Sequence, residues 1–188
     1  LMAIIDKPTD YFNTLLYTGN DTDNRTVSGV GFQPNFLWIK ARADAYQHYL
    51  QDSVRGSTKV LHSDSDEAEV TRVSAVKSFA SDGFVLGQEA QVNRNSGTFA
   101  SWSWKEEATL FDIVSYTGNG NARTISHNLG SVPKFMICKD RDNIRNWGTY
   151  HQAIGPASDA GYLNNAVVPE SNNNFWNNTN PTASVFSV

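Results

Sequence analysis

Phe12-Asn-Thr-Leu-Leu-Tyr17-Thr-Gly-Asn20, near the start of the chain, returns as Phe111-Asp-Ile-Val-Ser-Tyr116-Thr-Gly-Asn119. A few residues on, Arg25-Thr-Val-Ser28 returns as Arg123-Thr-Ile-Ser126, and Pro34-Asn-Phe36-Leu-Trp-Ile-Lys40 returns as Pro133-Lys-Phe135-Met-Ile-Cys-Lys139. The match then weakens but stays traceable, with Leu50-Gln-Asp-Ser-Val54 beside Tyr150-His-Gln-Ala-Ile154 and Phe84-Val-Leu86 beside Phe186-Ser-Val188. Across these five blocks the offset stays between 98 and 102 while only the loops between them change length. Chance similarity does not hold one register in that way, so the chain reads as one module written twice. The reading divides it into a lead-in over 1–11, a first copy over 12–105 and a second copy over 111–188. The second copy has no counterpart to Gly87–Trp104, a turn and one long strand in the first. The expectation is that the sequence belongs to a longer protein; the alternative is that a neighbouring molecule supplies the strand.

The shared blocks read as strands. Leu15 to Thr18 runs into Gly-Asn and Val114 to Thr117 into Gly-Asn-Gly, turn signals that tolerate positive φ. Phe36 to Ile39 and Phe135 to Cys138 are apolar at successive positions, which predicts inner strands covered on both faces. Pro34 and Pro133 precede them, where a missing backbone donor costs least. In Thr98 to Trp104, Ala100, Trp102 and Trp104 alternate with Phe99, Ser101 and Ser103, a half-buried period-two strand whose tryptophan face is expected in the core. Asp66 to Lys77 has loosely helical spacing and reads as a short helix or a polar excursion. Short strands separated by Gly and Asn turns predict an all-β fold of two tandem antiparallel β-sandwich modules, of jelly-roll or concanavalin/lectin-like type, the second without its last strand. A single large barrel is the alternative.

Net charge is -4 and the 15 Lys and Arg residues are scattered, which argues against a nucleic-acid partner. The one cysteine, Cys138, lies in an apolar run and reads as a buried thiol. Leu1 to Ile5 is too short for a signal-peptide core, and no apolar run reaches the roughly 18 residues of a membrane span, so no membrane insertion is expected.

The search for chemistry finds no catalytic set. There is no G-x-S-x-G elbow, and His48, His62, His127 and His151 lack the spacing that sets two imidazoles on one helical face, so neither a metal nor a cofactor is expected. His127 reads as a hydrogen-bonding residue of a turn. Asp64, Asp66, Glu67 and Glu69 read as a solvated loop in preference to a calcium site or glycosidase pair. Asp21 and Asp23 have Asn121 and Ala122 in the second copy, so the module does not depend on a shared cation. Aromatic residues in asparagine-rich loops are the remaining signal, because saccharide rings stack on Trp and Tyr while amides bind hydroxyls. Trp147, Tyr150, Trp176 and Asn177 are the candidate glycan contacts.

The pattern F-x4-YTGN, RT-[VI]-S and P-x-F-x3-K, with DSVRG (Asp52 to Gly56), SF-x-SDGF-x-LG (Ser78 to Gly87) and SG-x-F-x-SW-x-W (Ser96 to Trp104) in the first copy, resembles tandem repeat modules of marine bacteriophage tail-fibre-like and other virion structural proteins. It covers nearly the whole chain. The resemblance implies a virion component, in a tail fibre, spike or capsid appendage, whose partners are other virion subunits, further copies of itself and a host surface glycan bound by multivalent weak contacts. It carries no binding residues with it. A purely structural capsid decoration or connector protein is the second reading and a carbohydrate depolymerase the third. The second copy departs from the pattern, with Gln152 to Pro156 in place of DSVRG.

Overall fold

Side chains of a strand point alternately to opposite faces, so a strand covered on one face shows burial of period two; Phe36–Ala41 alternates in this way along its whole length. The computed structural model describes residues 6–154, 159–166, 170–171 and 173–188, and the chain divides into two units. The first, Leu1–Ser63 with Glu67–Glu106, contains β1 (Phe12–Thr18), β2 (Arg25–Ser28), β3 (Phe36–Ala41), β4 (Tyr49–Asp52), β5 (Gly56–Leu61), β6 (Val70–Thr71), β7 (Val76–Ala80), β8 (Gly83–Leu86), one helical turn α1 (Ala90–Asn93) and β9 (Thr98–Trp104). The second, Asp64–Asp66 with Glu107–Val188, contains β10 (Thr124–Ser126), β11 (Phe135–Cys138), β12 (Gly148–His151), β13 (Asp159–Tyr162), β14 (Glu170–Ser171), the helical turn α2 (Asn173–Trp176) and β15 (Val185–Ser187). The protein is all-β, its strands paired antiparallel. The helix weighed for Asp66 to Lys77 is not formed: β6 and the start of β7 occupy that stretch.

In the first unit, six strands make a sheet in the order β1-β9-β3-β4-β5-β6 and three make a second in the order β2-β8-β7. Both sheets feed one hydrophobic cluster: Leu37, Ile39 and Phe99 from the larger, Val27, Phe84 and Leu86 from the smaller. Tyr17 on β1 ties this core to α1, its ring stacked 5.1 Å from Phe99 and its hydroxyl donating to the Val92 carbonyl at 2.7 Å.

The facing of β9 is the reverse of the sequence expectation. Phe99, Ser101 and Ser103, all 0% exposed, point into the core, while Trp102 and Trp104 point outward. The register supplies the reason. Ser101 lies between Leu15 of β1 and Ile39 of β3, and Ser103 lies opposite Leu37, so large neighbours on both sides leave space only for small side chains. Neither serine hydroxyl has a hydrogen-bond partner. Because a buried unpartnered hydroxyl costs about 1–3 kcal/mol, Ser101→Ala is expected to raise stability by about 1 kcal/mol. A urea titration checks it; a lowered midpoint would mean that the hydroxyl does find a partner.

The second unit repeats much of this frame. Its sheets run β11-β12-β13-β14 and β10-β15, matching β3-β4-β5-β6 and β2-β8. Local contacts repeat with it. Tyr17 meets Phe84 edge-on at 6.1 Å and Tyr116 meets Phe186 edge-on at 6.0 Å. The Arg25 guanidinium lies over Tyr17 and that of Arg123 over Tyr116. Lys40 Nζ donates to the Ala41 and Asp44 carbonyls, and Lys139 Nζ to those of Asp140 and Asn143.

No described residue takes the place of β9, and two differences follow. Residues 112–117, the counterpart of β1, lie outside the sheets; among the described strands β1 pairs with β9 alone. β11, expected as an inner strand, is an edge strand, with Phe135 53% and Ile137 39% exposed.

Candidate functional site

The loop aromatics expected to meet a ligand pack inside the second unit instead. Trp147, Tyr150 and Trp176 are 5%, 6% and 1% exposed. Trp147 Nε1 donates to the Ser65 carbonyl at 3.0 Å, and its backbone amide donates to Asn164 Oδ1. Trp176 meets Tyr150 and Phe186 edge-on at 6.1 and 6.4 Å. Polar neighbours in the sequence do not keep these rings at the surface, because burying a large ring is favourable enough to outweigh them. Asn177 is exposed, with φ +48, a position that asparagine tolerates. It lies beside the core without a ring of its own to offer.

An aromatic surface lies on the first unit, on the outward face of β1-β9-β3, with Phe12 exposed and Phe36, Trp38, Trp102 and Trp104 partly exposed. Register sets its side chains in rows across the three strands: Phe12, Trp104 and Phe36; then Thr14, Trp102 and Trp38; then Leu16, Ala100 and Lys40. The Trp104 ring is 4.9 Å from Phe12 and 5.3 Å from Phe36, and Trp38 is 6.2 Å from Trp102. Trp38 Nε1 donates to His48 Nδ1 at 2.7 Å, which fixes the indole in place. Cross-strand aromatic pairs of this kind hold one another rigid and present ring faces and edges as a platform. Leu16 is 65% exposed and Phe12 39%. The alternation in Thr98 to Trp104 was the available signal, but alternation alone does not say which face is inside.

Farther along the same sheet the DSVRG motif makes a buried ion cluster. Asp52 Oδ2 accepts from Arg55 Nε at 2.5 Å and Oδ1 from the Arg55 backbone amide at 2.7 Å. Arg55 Nη1 donates to Glu69 at 2.9 Å and Nη2 to the Leu50 carbonyl at 3.0 Å. All three side chains are at most 10% exposed. Glu69 is therefore an internal partner of Arg55, not part of a solvated acidic loop, while Glu67 accepts from Gln47. The cluster fixes the tight β4–β5 turn, closed by Gly56 at φ +100.

The second unit has an open cleft of about 570 Å³ lined by Tyr116, Cys138, Asp140, Arg145, Tyr162 and Phe175, among others. Tyr116 Oη and Cys138 Sγ are 3.2 Å apart. Burial pushes the Tyr116 hydroxyl well above its ordinary range and raises the Cys138 thiol as well, so both keep their protons at neutral pH. Burial would raise Asp140 too, but hydrogen bonds from Asn143 and the backbone amides of Asp142 and Asn143 outweigh it and hold the carboxyl below its ordinary range. Arg145 Nε lies 3.1 Å from Asp140. His127 has its turn role, with Nδ1 accepting from the Leu129 amide.

Among the described residues no group of three His, Cys, Asp or Glu side chains could hold a metal ion, and no helix is long and apolar enough to cross a membrane. The fold and these surfaces define an all-β protein of antiparallel sheets that offers a rigid aromatic sheet face. The chain belongs to the DUF7483 family, a domain of unknown function, which matches residues 7–188. No curated protein and no solved structure matches it.

Proposed function

We propose that the chain is a tandem β-sandwich module of a virion, serving as structural part and adhesin, and that it grips surface carbohydrate through the outward face of β1-β9-β3. The observation that carries the carbohydrate reading is the set of cross-strand rows in which Phe12, Phe36, Trp38, Trp102 and Trp104 stand on a rigid sheet. Pyranose rings present apolar faces to such a platform, and Thr14, Lys40 and the sheet margin supply polar groups beside it. In the first unit two sheets sharing one core support the sandwich. The virion setting rests on the sequence resemblance of the YTGN, DSVRG and SW-x-W motifs. A stack on a flat face is weak singly, and avidity on a repeated surface comes from many copies.

A glycan array probed with the intact chain tests the reading. Binding to at least one glycan class is expected, and Trp38→Ala or Trp102→Ala should weaken it about tenfold, the equivalent of about 1.4 kcal/mol, with the circular dichroism spectrum unchanged. A flat array, or binding indifferent to both substitutions, would overturn the carbohydrate reading and favour a connector that packs this face against another subunit.

A further inference from the structure

We infer that the saccharide taken by the aromatic face of the first unit is acidic, its rings stacked on Trp38 and Trp102 and its carboxylate held by Lys40 and Arg42 at one end of that face. The inference rests on the carbohydrate reading and adds the charge of the ligand. The outward rows of β1-β9-β3 change in character along the strands. Rings fill the first, Phe12, Trp104 and Phe36, and dominate the second, where Trp102 and Trp38 stand beside Thr14. The next holds Leu16, Ala100 and Lys40, and the one beyond sets Thr18 opposite Thr98. Arg42 completes that last row: its backbone amide donates to the Thr98 carbonyl at 2.8 Å, and it is exposed. In the second copy the matching Arg141 guanidinium reaches Oγ of Ser115, the counterpart of Leu16, at 3.2 Å, so an arginine at this place extends over the outward face. No Asp or Glu stands in any of these rows. A chain of net charge -4 thus sets a lysine and an arginine together at the end of a ring platform.

Their pairing leaves both charges available. Asp44, the nearest acidic residue in the chain, is taken by Arg94, whose Nη2 lies 2.6 Å from its Oδ2. Lys40 Nζ donates to the Ala41 and Asp44 backbone carbonyls at 2.8 and 3.0 Å, bonds that fix the ammonium without neutralising it. An ammonium has three N–H donors, so one remains for a ligand. Among the described residues neither Lys40 nor Arg42 forms an ion pair. An ammonium already held in place loses little freedom on binding, and its bond to a carboxylate is about twice as strong as a neutral hydrogen bond. Single-stranded nucleic acid shares the stacking chemistry, but it carries a phosphate at every nucleotide and needs cations along its whole track. Cations confined to one end fit a saccharide whose carboxylate projects from the edge of a stacked ring.

The probes are an oligoglucuronate and the cello-oligosaccharide of equal length, which has the same rings and linkage with a hydroxymethyl group in place of each carboxylate. Calorimetric titration of the intact chain is expected to show about tenfold tighter binding of the oligoglucuronate at about 0.05 M salt. That preference should shrink severalfold at about 0.5 M salt, where exposed charges are screened. Arg42→Gln and Lys40→Met should each cut the preference by about threefold or more. Arg42→Gln changes an exposed side chain, so it reports on charge without touching the Lys40 anchor. Equal affinity for the two sugars, or a preference indifferent to Arg42→Gln and to salt, would overturn the acidic ligand and leave the carbohydrate reading standing. Binding of neither sugar would overturn both. Tighter binding of a single-stranded oligothymidylate than of the oligoglucuronate would also overturn the inference, in favour of nucleic acid.

Discussion

Arg55→Ala is expected to lower the stability of the first unit by about 3–5 kcal/mol, because it leaves two carboxylates buried without their cation. Asp52 and Glu69 both lean on this guanidinium, and their side chains are 5% and 10% exposed. The loss exceeds that of an ordinary surface ion pair, about 0–1 kcal/mol, since water cannot replace the missing donor. The guanidinium also ties the Leu50 carbonyl at 3.0 Å, so the β4–β5 turn loosens with it. Combining Arg55→Met with Asp52→Asn and Glu69→Gln should recover part of the loss, because the orphaned charges go with their partner. Guanidinium titrations of the single and triple variants check both statements. A single variant within about 0.5 kcal/mol of the parent would mean that the cluster is solvated.

A paired substitution separates the two copies. Gly19 and Gly118 occupy the same place in the repeated Tyr-Thr-Gly-Asn turn. A Cβ on Gly19 would sit 2.1 Å from the Arg94 carbonyl oxygen and 2.8 Å from the Asn93 carbonyl carbon, whereas a Cβ on Gly118 meets nothing within 4 Å. The obstruction is backbone. Gly19 is clamped between its amide bond to the Gly97 carbonyl and the Ser96 amide bond to its own carbonyl, so relief requires moving the α1–β9 connection. Gly19→Ala is therefore expected to cost about 2–3 kcal/mol, and Gly118→Ala to stay within about 0.5 kcal/mol. Thermal denaturation of the two variants distinguishes them. Equal losses would place a comparable connection against Gly118.

How far the sequence could be read divides along a physical line. Strand positions in the first unit were legible because turn residues and hydrophobic runs are local properties: Tyr17-Thr-Gly-Asn20 and Pro34 before Phe36 mark strand limits there, whereas Val114 to Thr117, read as a strand from the same turn signal, lies outside the sheets. Facing was not legible. Period two in Thr98 to Trp104 fixes two faces, but the serines went inside because Leu15, Leu37 and Ile39 on neighbouring strands had already filled that side, and neighbours are not written in the strand itself. The burial of the loop aromatics was hidden for a related reason: Trp147 and Trp176 sit among asparagines in the chain yet are buried. The role of Arg55 and Glu69 depends on a contact across 14 residues, with no spacing rule to announce it. For β11, the apolar run Phe135 to Cys138 predicted an inner strand; it lies at an edge because the strand that covers β3 has no equivalent among the described residues of the second unit.

Backbone hydrogen exchange over β3, β11 and β12 of the intact chain bears most directly on the account of one frame built twice, closed in the first copy and open along one edge in the second. β3 and β12 each have a partner strand on both sides, and among the described residues β11 has one on a single side. Slow exchange throughout Phe36–Ala41 and Gly148–His151 is expected, with the edge-facing amides of Phe135–Cys138 exchanging orders of magnitude faster. Uniform protection along β11, equal to that of β12 in the same unit, would contradict it.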